Sequence, residues 1–119
     1  MNRDALFLAD ILKACDKITA FISSGHGAFL ADEMIQDAVI RNLEIIGEAS
    51  KNLTEEVKAR AADQPWRKIT GMRDKLIHLY FGVKLDQVWK TASEVVPPFR
   101  SEVAELLRAL EDPSVEGSL

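Results

Sequence analysis

The sequence predicts an all-α protein, an antiparallel helical bundle forming a single domain. Three observations carry this. Aromatic residues make up only 7% of a chain that is 47% hydrophobic, and alternating runs of β-branched residues are missing, so the signature of strands is absent. Apolar residues instead recur at spacings of three and four through long segments. Short Gly-, Ser- or Pro-bearing breaks separate those segments, as in helices packed side by side. A chain of 119 residues fits one domain. No repeat or linker divides residues 1–119, and the ordered core is expected over about 4–110.

The first helix is expected from Asp4 to about Ile22, on the stripe Leu8, Ile11, Leu12, Cys15, Ile18 and Ile22. Ser23-Ser24-Gly25-His26-Gly27 breaks it. Asp32 is the expected N-cap of a second long helix, with Glu33 suited to its dipole and a stripe from Ile35 through Val39, Leu43 and Ile46 to Leu53. Thr54-Glu55-Glu56 opens a short helix to about Ala62, and Pro65 opens another turn through Ile69. A further helix is expected over about Gly71 to Phe81, ended by Gly82. The last long helix starts near Leu85 and runs on Val88, Trp89, Ala92, Val95, Val96, Phe99, Val103, Leu106 and Leu110. Pro97-Pro98 predicts a kink or short break within it, and the tail after Asp112 is expected to fray.

Charge narrows the function. A net −4 argues against nonspecific coating of nucleic acid, which needs a broad basic surface. Between Pro65 and His78, however, Arg67, Lys68, Arg73 and Lys75 face only Asp74, a local +3 that leaves −7 on the rest. Such a patch suits a focused anionic ligand or an RNA contacted at one point. Cys15 stands alone, so no disulfide forms within the chain, and it falls on the first apolar stripe as a core residue. The start, Met1-Asn2-Arg3-Asp4, lacks a signal-peptide pattern and no apolar run could span a bilayer, which points to a cytoplasmic protein without a membrane role. Two histidines and one cysteine, without paired-ligand spacing, predict no metal site, and no phosphate-cradling Gly loop implies a cofactor.

The stretch Gly71 to Tyr80 carries the chemistry. Arg73 can fork onto phosphate oxygens, His78 can move protons near neutral pH, and Tyr80 offers a modifiable hydroxyl. At about 100° per residue, Arg73 and Tyr80 share one helix face, while Asp74 and His78, at i and i+4, face each other beside it. Arg73 and Lys75 in a first turn oppose the helix dipole, a local violation typical of functional segments. Bland readings stand beside these. An isolated Arg-x4-His is common, and Tyr80 could be a half-buried core residue. His26 reads as a loop residue, Trp66 and Trp89 as packing anchors, and Met34 and Met72 as core or gap-fillers.

Taken together, Pro65 to Arg73 and His78-Leu79-Tyr80-Phe81-Gly82, with the signature Arg-x4-His-x-Tyr, resemble the HepT-like branch of the HEPN superfamily. Arg41-Asn42-Leu43-Glu44-Ile45-Ile46-Gly47-Glu48-Ala49 and Val88-Trp89 resemble it too, so the likeness covers roughly residues 4–110. The resemblance implies a helical homodimer whose two motifs meet in a composite cleft, and a metal-independent endoribonuclease acting on RNA. It further implies a toxin neutralised by an MntA-type nucleotidyltransferase that transfers AMP to the motif tyrosine. Arg73 and His78 would then be catalytic, Asp74 supporting, Tyr80 the acceptor, and Arg67, Lys68 and Lys75 candidates for RNA phosphate. Asp74 departs from the Asn that family members often carry there. A non-catalytic HEPN module that binds a nucleotide or docks a nucleotidyltransferase is the competing class, and a purely structural helical dimer a third.

Overall fold

The computed structural model describes residues 2–72, 75–76 and 84–111, and all regular structure among them is helical. In order these are α1 (Arg3–Phe21), α2 (His26–Ala31), α3 (Glu33–Lys51), α4 (Glu55–Ala59), α5 (Trp66–Thr70) and α6 (Leu85–Lys90). A π-helical turn (Thr91–Val95) then leads directly into α7 (Val96–Glu111). Met72, Lys75 and Leu76 also have helical backbone. Arg73, Asp74, His78, Tyr80, Gly82 and the tail beyond Glu111 lie outside the described residues.

α1 and α3 share the most extensive contact. Leu8, Ile11, Cys15 and Ile18 are fully buried with Val39, Leu43 and Ile46, the two stripes expected from the spacing. Burying each large aliphatic side chain stabilises by about 1.5–3 kcal/mol. Asn2 caps α1 by accepting the Asp4 N–H at 2.8 Å, and Asp32 caps α3 by accepting the N–H groups of Met34 and Ile35. α7 lies along α1, where Arg100 Nε donates to Asp16 Oδ1 at 3.0 Å and is held further toward its charged form by that contact.

One polar relay fastens the ends of this hairpin. Asp4 is only 8% exposed, and its carboxylate accepts both the Thr54 N–H at 2.9 Å and the Thr54 hydroxyl at 2.7 Å. The same hydroxyl oxygen accepts the Val57 N–H at 3.3 Å, capping α4 as the sequence predicts. Thr54 thus joins the start of α1 to the segment after α3, which makes the pair antiparallel.

The structure departs from the expectations in four places. The connection between the long helices contains α2, whose Phe29 is fully buried. Gly25 makes the entry with φ +97°, a left-handed value that glycine adopts without strain, and Gln36 Nε2 closes the exit by donating to the carbonyls of Phe29 and Leu30. Six residues are too few to show a helical period. α4 stops at Ala59, short of the expected Ala62. Met34 is 82% exposed rather than core, because it follows the Asp32 cap on the outer face of α3. Val95, expected on the apolar stripe of the last helix, is 42% exposed. The kink expected at Pro97-Pro98 is present, set just ahead of the prolines. Neither can donate a backbone hydrogen bond, and each ring would press on the carbonyl four residues back. The widened turn lies just before them, and the Val96 N–H reaches Thr91 O five residues back.

Two predictions follow from these contacts. Thr54→Ala removes a cap and the hydroxyl donor of the buried Asp4 carboxylate, which keeps only the backbone N–H, so denaturant unfolding should show a loss of about 2 kcal/mol. Burial pushes the Cys15 thiol from 9.0 up to about 12, with Asp16 adding to the shift. The folded state therefore holds this proton more tightly than the unfolded chain does. That stabilisation is complete below pH 9 and is lost as pH rises toward 12. Stability of the wild type should fall by about 1 kcal/mol more than that of Cys15→Ala between pH 8.5 and 10, read from urea midpoints.

Candidate functional site

The basic segment is built on α5. Trp66 fixes that helix: its indole N–H donates to the carbonyls of Ala61 at 2.9 Å and Lys58 at 3.2 Å, and its ring meets Phe99 edge-on at 5.5 Å. Ile69 is buried on the same side. With the apolar face so committed, Arg67 and Lys68 project into solvent. Gly71 follows, where an added Cβ would stand 3.2 Å from the Arg67 carbonyl oxygen of the preceding turn, a tight contact that glycine avoids. The Lys75 N–H donates to Gly71 O at 3.2 Å, an α-helical bond that opens the turn where the sequence predicts it. The Thr70 hydroxyl turns back to Arg67 O at 3.2 Å instead of capping that turn.

Leu76 is buried while its neighbour Lys75 is exposed, so this turn presents its cation outward over an apolar underside. The structure thus brings Arg67, Lys68 and Lys75 to the surface along consecutive turns. Arg73, Asp74, His78 and Tyr80, the remainder of the predicted site, fall outside the described residues. Such a row of exposed cations attracts phosphate through a shared field, without base readout.

Two depressions adjoin α3. A cleft of about 380 Å³ between α1 and α3 is lined by Phe7, Asp10, Arg41, Glu44, Ile45 and neighbours. Arg41 pairs there with Glu44 at 3.6 Å, and the mixed charge makes it a poor anion site. A smaller notch of about 70 Å³ borders Lys75 and lies between α3 and the start of the last helix. Among the described residues no group of His, Cys, Asp or Glu could hold a metal ion, and no helix is long and apolar enough to cross a membrane.

A side-chain cluster missed by the sequence reading joins α2 to α6. The His26 ring stacks on Trp89 with centroids 4.8 Å apart and planes 20° from parallel, and its Nε2 lies 3.5 Å from the Asp86 carboxylate. Phe29 meets the same indole at 5.5 Å. His26 is therefore a packing partner rather than a loop residue. Their separation of 63 positions in the sequence hides the pair from any local pattern. The cluster holds the first turns of α6, which begins seven residues after His78.

Comparison with known proteins adds a family. The family described as "Ribonuclease HepT-like" matches residues 11–106. A "Probable ribonuclease HepT" of Thermococcus cleftensis is 45% identical over 101 residues, covering 84% of this chain and 92% of that protein. "Putative RNase TTE0752" of Caldanaerobacter subterraneus is 39% identical over 103 residues, 86% of this chain and 92% of that one. "Putative RNase MJ0125" of Methanocaldococcus jannaschii is 39% identical over 107 residues, 89% and 92% respectively. No solved structure matches.

The His26 cluster yields a prediction. His26→Ala should cost about 0.5–1.5 kcal/mol, the worth of one aromatic pair, and speed amide exchange in α6. Asp86→Asn should cost less, because that carboxylate is exposed and its ion pair is screened.

Proposed function

Because this chain belongs to the HepT-like family of ribonucleases, we propose that it is a toxin of a toxin–antitoxin pair and a metal-independent endoribonuclease. The family match carries this reading, because residues 11–106 contain the whole Arg-x4-His-x-Tyr motif at 73–80. The exposed Arg67, Lys68 and Lys75 support it, since they place positive charge on the turns that lead into and through that motif.

In this mechanism His78 takes the proton from a ribose 2′-OH. The 2′-oxygen bonds to the adjacent phosphorus while the bond from phosphorus to the 5′-oxygen breaks. A second acid, His78 of the partner subunit, protonates the departing oxygen. The products are a 2′,3′-cyclic phosphate and a 5′-OH. Arg73 stabilises the charge that grows on the phosphorane oxygens, where a forked guanidinium serves better than a point charge. Asp74, four residues before His78 in the sequence, orients the imidazole. A two-fold homodimer brings both motifs to one cleft and doubles the positive field there.

Neutralisation acts on the same motif. A cognate MntA-type nucleotidyltransferase transfers AMP from ATP to the Tyr80 oxygen, with pyrophosphate as the leaving group and loss of the hydroxyl proton. The adduct adds bulk and negative charge to the same motif as Arg73, so it competes with RNA for the phosphate site and repels it.

Purified wild type should cleave RNA in EDTA, and His78→Ala should lose at least about a hundredfold of that rate, the lower range for a general base. Full cleavage by His78→Ala would remove His78 from the mechanism. Tyr80→Phe should keep cleavage but gain no AMP mass on incubation with the nucleotidyltransferase and ATP. An adduct on Tyr80→Phe would place the modification elsewhere.

A further inference from the structure

We propose that the notch beside Lys75 is a base subsite, which seats one pyrimidine of the RNA next to the phosphate held by the basic segment. The proposal rests on the ribonuclease reading and deepens it. Leu43, Leu76 and Val88 make a buried apolar floor, and half-buried Met72 forms one wall. The rim is polar: the Lys75 ammonium on one side, with Gln87 and Thr91 on the other. An apolar floor under a few convergent polar groups is the usual make-up of a site for a flat heterocycle.

The donors and acceptors match a pyrimidine edge. The Thr91 hydroxyl donates to Gln87 O at 2.9 Å, so its oxygen faces a ligand as an acceptor. The Gln87 side chain is exposed, and no hydrogen bond or ion pair engages its amide among the described residues. An amide offers one donor beside one acceptor, which pairs with the adjacent N3–H and C4 carbonyl of uracil, or, turned over, with N3 and N4 of cytosine. Both pyrimidines also carry a C2 carbonyl that Lys75 can meet. About 70 Å³ admits the edge of one ring. Adenine offers the same kind of edge to an amide but has no C2 carbonyl for Lys75, and guanine carries an amino group there, so that contact sets the pyrimidines apart.

Thr91 keeps the regular register of α6, its N–H bonding to the Gln87 carbonyl four residues back, and the π turn widens only beyond it. Gln87 and Thr91 stand four residues apart and so lie on one face, toward α3 and Lys75. They face the notch from a helix that Trp89 and His26 hold in place on its other side. Single-stranded RNA is read in this manner, with bases splayed onto apolar surfaces and recognised along their edges.

The test maps the cleavage sites of wild type and Gln87→Ala on an RNA of mixed sequence. Wild type is expected to favour sites with a pyrimidine at one fixed position. In Gln87→Ala, cleavage at those sites should fall about tenfold more than at purine sites, the scale of one base-edge pair. Gln87→Glu, which loses the amide donor, should shift the preference toward cytosine, whose N4 amino group donates. Cleavage with the same base profile in all three proteins, each melting within a few degrees of the others, overturns the subsite while leaving the ribonuclease reading intact. If wild type cleaves nothing, the ribonuclease reading fails, and binding of labelled oligo-U and oligo-A then judges the notch separately. A preference for oligo-U that Gln87→Ala abolishes supports the notch, and equal binding of the two overturns it.

Discussion

The apolar seam between α1 and α3 is the constraint on which the remaining elements depend. Its stripes from Leu8 to Ile18 and from Val39 to Ile46 are fully buried, and they form the surface against which the other helices pack. α7 lies on the α1 side and the short helices on the α3 side. Because burial is non-directional, the seam alone would tolerate some sliding of one helix along the other. The Asp4–Thr54 bonds remove that freedom, since a buried carboxylate with directed partners has one satisfactory register. Register and burial together set where the chain leaves α3, and hence where the basic segment begins.

Two tryptophans then carry the placement outward. Trp66 binds α5 to the carbonyls that end α4 and to Phe99 of α7, so Arg67 and Lys68 have only the solvent side left to occupy. Trp89 does the same for α6 through His26 and Phe29. The motif segment is thus flanked in the chain by two helices whose indoles fix them to the bundle.

The last helix shows how a local conflict is absorbed. Pro97 and Pro98 are poor residues for the middle of a long helix, yet the helix runs through them. The π turn ahead of them shifts the hydrogen-bond register by one residue at Thr91–Val96, and side-chain hydroxyls of Thr91 and Ser93 bond back to carbonyls one turn earlier. The cost of the prolines is therefore met by a local widening, which begins only after Thr91 has taken its place at the rim of the notch.

Much of this protein was legible in its sequence because the deciding forces act between residues three or four apart. The two long stripes, the caps at Asp32 and Thr54, and the buried Cys15 all appear where the periodicity placed them. The family, too, could be read from the motif together with its flanks, and the match over residues 11–106 agrees. The roles of Arg73, His78 and Tyr80 rest on that motif, since these residues lie outside those the structure describes. Tertiary structure decided what periodicity cannot reach. α2 is too short to show a repeat, and Met34 is apolar yet turned outward by the cap beside it. The stack of His26 on Trp89 and the joining of Lys75, Gln87 and Thr91 around one notch bring together residues far apart in the chain. A sequence records the identity of such residues, but their meeting is set by the packing of whole helices, which no local spacing encodes.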